Sequence, residues 1–136
     1  MKHKNAQVST EYIIIVGFVV VIVIPLLIIF YNFSGETKDE ITTNQLSKIS
    51  RKVVDEAESM HYLGENSKTT IKVYMPTNVK GAKIQSNEVY FNVSTSKGFI
   101  DIEFPSPVNI SGSIPNTSGV HMIKVESKGD YVWIGT

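Results

Sequence analysis

The residues best placed to do chemistry are Gln7-Val-Ser-Thr-Glu11, which lie directly against an apolar run from Tyr12 to Phe33. A carboxylate at the mouth of a long hydrophobic segment is costly unless it is paired or reaches water. Glu11 is therefore a candidate for charge pairing, with Gln7 and Ser9 as polar groups beside it. Snorkelling to an interface as a helix N-terminal acid, favoured by the helix dipole, is the plainer role for Glu11. The six residues before Gln7, Met-Lys-His-Lys-Asn-Ala, are basic, contain no acid and end in the small Ala6. This arrangement predicts a short leader that is removed and a hydrophobic helix that is kept.

The length of the apolar run sets the broad class. Tyr12 to Phe33 is 22 residues without a formal charge. As a helix it spans roughly 33 Å, enough to cross a bilayer core. β-branched residues dominate it and ordinarily lower helix propensity. In lipid the backbone must satisfy its own hydrogen bonds, and a helix does so. An ordinary secretory signal would carry an apolar region of about 7–15 residues followed by a small-residue cleavage site. This run is longer, and Phe30-Tyr-Asn-Phe-Ser-Gly35 places bulky and polar groups where the small residues belong. Lys2, His3 and Lys4 flank its N-terminal end, whereas Glu36, Asp39 and Glu40 outweigh Lys38 at the other. Basic flanks stay in the cytoplasm, so the C-terminal region is expected outside.

Composition excludes several classes. The 13 basic and 13 acidic residues balance, which argues against a nucleic-acid partner, since that would want a clustered basic surface. Removal of residues 1–6 takes away Lys2 and Lys4 and leaves 11 basic residues against 13 acidic. With no cysteine, disulfides, thiolate nucleophiles and cysteine metal sites are excluded. His3, His61 and His121 stand singly, and no HExxH, phosphate loop or trustworthy Ser-His-Asp order is present. Neither an enzyme nor a metal site nor a cofactor is expected.

Beyond the apolar run the composition turns polar while the period stays helical. Leu46, Ile49, Val53, Ala57 and Met60 recur at spacings of three and four, with Val54 and Leu63 beside them, and charged residues fill the other faces. Ser34-Gly35 offers a kink, Thr37 with Glu40 a restart as a capping box, and Gly64 a C-terminal cap. A near-continuous helix over 7–63 would be roughly 85 Å long. Pro25 sits mid-span, either as a packed kink or as a point of local melting. Gly17 has no glycine four residues away, so a GxxxG motif is absent.

From Thr69 the period changes to two. Alternation predicts strands at Ile71–Met75, Val89–Val93 and Ile100–Phe104, with further candidates at Ala82–Gln85, Val108–Ser111, Val120–Glu126 and Tyr131–Ile134. Turn signals such as Ser86-Asn87, Lys97-Gly98 and Lys128-Gly-Asp130 separate them. The expected fold is α+β: a long N-terminal helix, hydrophobic then amphipathic, packed on a small antiparallel β-sheet or β-sandwich headpiece over residues 64–136. The Leu46–Met60 stripe is the natural cover for the sheet. Tyr74, Tyr90, Tyr131 and Trp133 read as sheet-face or edge residues. Asn92, Asn109 and Asn116 each open an Asn-x-Ser sequon in the headpiece and are candidate N-glycosylation sites; Asn32 is poorly placed at the membrane end of the helix.

Gln7-Val-Ser-Thr-Glu-Tyr-Ile-Ile-Ile15 resembles the Q-x-S-x-E-x-x-x-L motif of archaeal type IV pilins with a class III signal peptide, with Ile15 in place of the usual leucine. The run Pro107-Val-Asn-Ile-Ser-Gly-Ser-Ile-Pro115, followed by Gly119-Val-His-Met-Ile-Lys-Val125, looks more loosely like the headpiece of methanogen-type members. The resemblance implies that a prepilin peptidase cuts between Ala6 and Gln7, with Gln7, Ser9 and Glu11 as the recognition and assembly motif. It implies a precursor held in the cell membrane with its N-terminus cytoplasmic, and a mature subunit that joins copies of itself, or related pilins, in an extracellular adhesion pilus. It also implies that Glu11 pairs with the freed amine of Gln7 on a neighbouring subunit. Archaellum subunits resemble the chain in plan but lack the Gln-x-Ser-x-Glu opening. The alternative is a single-pass membrane-anchored protein whose outer β domain binds a ligand and never polymerises.

Overall fold

The computed structural model describes residues 3–136, with side chains from Ser9 onward. The expected leader therefore falls in part outside the described residues, as do the side chains of Ala6 and Gln7. Helix α1 runs His3–Leu63 and is followed by seven strands. The chain divides into two compact units between Lys38 and Asp39.

The N-terminal unit holds the first part of α1. Every side chain from Ser9 to Phe33 is exposed, and none of its most apolar 18-residue window is buried within the chain. By length and composition this helix can cross a membrane. Pro25 lies inside α1. The near-continuous helix is found, and the expected restart at Thr37 is not, because α1 continues through it. The Thr37 hydroxyl donates to the Phe33 carbonyl at 3.0 Å. It thus bonds backward along the helix, as an interior threonine does, instead of capping a new N-terminus.

The second unit contains the rest of α1 and all the strands: β1 (Lys68–Met75), β2 (Val79–Gln85), β3 (Glu88–Thr95), β4 (Gly98–Pro105), β5 (Ile110–Gly112), β6 (Gly119–Ser127) and β7 (Val132–Gly135). Gly64 ends α1 with φ +98°, and its amide donates to the His61 carbonyl at 3.2 Å, as a glycine cap does. The strands form a four-stranded sheet in the order β1-β6-β7-β5 and a three-stranded sheet in the order β2-β3-β4. Ser86 and Asn87 join β2 to β3 with positive φ at both positions, the backbone of a two-residue type I′ hairpin.

One pairing departs from the all-antiparallel expectation, for β5 runs parallel to β7. The edge of β7 away from β6 is taken by β5, which the segment after Asn109 enters alongside it. The approach is tight. Gly112 has φ +128°, and a Cβ there would lie 1.9 Å from the Ile134 carbonyl oxygen, so only glycine is accommodated.

The core joins α1 to both sheets. Leu46, Val53 and Ala57 from the helix are fully buried in one cluster with Met75, Phe91, Ile123 and Ile134 from the strands. Each large aliphatic or aromatic side chain buried in this way stabilises the fold by about 1.5–3 kcal/mol. The amphipathic half of α1 is therefore an integral layer of the headpiece.

Candidate functional site

Of the motif residues, Ser9 and Glu11 have described side chains, and both are exposed on α1. Ser9 and Glu11 are two residues apart and so point about 200° from one another around the helix. The helix thus presents an acid beside an uncharged stretch more than twenty residues long, with its whole circumference open. By length and composition such a surface fits burial in a membrane.

Where α1 enters the headpiece, the molecule holds it by contacts that period and composition did not reveal. Asp39 accepts two hydrogen bonds at one carboxylate oxygen, from the amide of Ser96 at 2.9 Å and from the Ser96 hydroxyl. The hydroxyl and then the amide of Ser96 hold the Asp39 carboxyl below the usual carboxylate range. This tether is present at neutral pH and is lost as the pH falls through that lowered value. Ser96 lies in the turn between β3 and β4, 57 residues along the chain, a separation that no local signal reports.

Two further contacts bracket the helix. Lys52 donates to the Lys72 carbonyl on β1 at 3.2 Å, while the Arg51 guanidinium lies 5.8 Å from the ring centroid of Phe104 on β4. Because β1 and β4 are edge strands of different sheets, α1 covers the open side between them.

The headpiece asparagines differ in accessibility. Asn92 is half-buried on β3 and donates to the Asp101 carboxylate at 2.7 Å. Tyr90 and then Asn92 hold that carboxyl below its ordinary value. Asn109 is exposed but engaged with Asn87 at 2.9 Å and with the Asp130 carbonyl at 3.3 Å. Asn116 lies exposed in the loop before β6, with one long contact of 3.5 Å to the Lys80 carbonyl. The structure therefore separates three sequons that the sequence left equivalent.

Among the aromatic residues, Tyr74 and Tyr131 are exposed and Trp133 is half-buried. Tyr90 lies under the Lys83 ammonium at 4.6 Å. Among the described residues no group of three or more His, Asp or Glu side chains gathers as a metal site. Comparison with protein-family models, curated proteins and solved structures returns no match for this chain.

Proposed function

We propose that the chain is a structural subunit of an archaeal type IV-like pilus that polymerises through the hydrophobic half of α1 and serves surface attachment. The observation that carries this reading is the division of labour within α1. From Asp39 to Leu63 it supplies core residues to a folded headpiece, and from Tyr12 to Phe33 it exposes uncharged side chains with Glu11 at their head. A bilayer satisfies those side chains in the precursor, and helices of neighbouring subunits satisfy them in the filament. Glu11 then meets the amine created at Gln7 by a prepilin peptidase, because two buried charges are tolerated only when they pair. The role is structural, without a cofactor. The headpiece lies outside the cell, and Asn116, exposed and with the longest hydrogen-bond contact of the three, is the glycan acceptor this reading favours.

The second reading, a membrane-anchored protein with an outer binding domain, draws on the same apolar helix and differs in processing. The mature chain is expected to begin at Gln7. Intact-mass measurement on protein from native membranes and surface filaments should give a chain lacking Met1–Ala6. A mass that still includes them would remove the processing step and favour the anchored alternative.

A further inference from the structure

The two flanks of α1 in the headpiece carry opposite charge, and each adjoins exposed apolar side chains. On the β1 flank, an open groove of about 260 Å³ between helix and strand is lined by Lys48, Lys52 and Lys72 together with Gln45 and Tyr74, and no carboxylate lines it. Its apolar continuation is the outer face of β1 and β6. Tyr74 pairs directly with Val120, and Lys72 with Met122. Tyr74, Val120 and Met122 are 58%, 56% and 59% exposed. On the β4 flank, Asp101 and Glu103 are exposed on the edge strand, and Phe99 beside them is 70% exposed. Arg51 lies against Phe104, while Lys83, over the Tyr90 ring, lines a cleft with Glu103 and also acts electrostatically on Asp101, so one lysine stands against two acids on that face.

We infer that the Lys48–Lys72–Tyr74 groove of one headpiece receives the Phe99–Glu103 edge of a second copy of this chain. The partner is a copy because both halves of the match occur on one chain: an apolar patch rimmed by lysines, and an exposed phenylalanine beside two acids. The halves lie on different surfaces, so the contact is heterologous. A heterologous contact that does not close leaves a free half at each end and propagates as a filament. Complementary charge sets register and partner choice, while the apolar centre contributes most of the affinity. This contact rests on the proposed filament role and specifies which headpiece surfaces meet in it.

The absence of cysteine in the chain allows a clean test in the full-length protein. Lys48→Cys and Glu103→Cys are made singly and together, expressed in cells and treated with a short bis-maleimide. Neither single variant should cross-link alone. Two differently tagged single variants, co-expressed, should give a mixed dimer, and the double variant should give a ladder of three or more copies. In parallel, Lys72→Glu or Glu103→Lys should each lower filament yield about ten-fold or more, and the two reversals combined should restore it. If filaments form normally but the double variant gives no ladder, or if Lys48→Cys alone dimerises, the head-to-tail contact is wrong and the filament reading stands. If the wild-type chain forms no filaments and no ladder appears, both fall.

Discussion

Glu11→Ala is expected to abolish filaments while leaving the processed subunit abundant in the membrane. Glu11 belongs to the N-terminal unit and is exposed there, so its loss should not alter the stability of the headpiece. Membrane insertion should be unchanged or slightly easier, because one charge disappears from the edge of the apolar run. In the proposed filament the same change strands the amine of Gln7 among apolar helices. Leaving a buried charge without its partner costs about 3–5 kcal/mol, and the cost recurs at every subunit. Glu11→Gln should be intermediate, since an amide still accepts one hydrogen bond from the amine but carries no charge. Filament yield by electron microscopy, measured beside the amount of processed subunit in membranes, decides the matter. Wild-type filament yield from processed Glu11→Ala protein would reduce Glu11 to an ordinary helix-end acid.

The second large effect concerns where the headpiece begins. A chain starting at Thr37 retains the whole second unit, including the Asp39–Ser96 tether and the helix side chains of the core. It should be soluble and monomeric and should melt in one cooperative transition. A chain starting at Gly64 keeps every strand but loses Leu46, Ile49, Val53, Val54, Ala57 and Met60 from the core cluster. At about 1.5–3 kcal/mol for each large buried side chain, that loss rivals the whole net stability of a small domain, roughly 5–15 kcal/mol. It also uncovers the apolar sheet faces that the helix side chains bury, an invitation to aggregation. Size-exclusion chromatography and thermal melts of the two chains test this directly. Equal behaviour of both would mean that the helix is not a necessary layer of the fold.

Much of this architecture was legible from side-chain order alone, because burial is periodic. A helix returns the same face every three or four residues and a strand every two. Leu46, Ile49, Val53, Ala57 and Met60 therefore announced the buried stripe, and Ile71, Val73 and Met75 the inward face of β1. The run from Tyr12 to Phe33, uncharged throughout, likewise marked a helix long and apolar enough to cross a membrane. Gly64 and Ser86-Asn87 were readable because their backbone conformations favour few residue types.

What depended on the tertiary structure involves residues distant in sequence, for which no local preference exists. The division of seven strands into two sheets, the parallel β5–β7 pair and the placing of α1 between two edge strands follow from which surfaces meet in space. The same holds for Asp39 with Ser96, for Arg51 with Phe104 and for the opposite charges on the two flanks. Thr37 shows the converse: a residue with the local signature of a cap stays inside the helix. Local hydrogen-bonding options are worth about 1 kcal/mol, too little to break a helix whose C-terminal part is held by buried side chains from Leu46 to Met60.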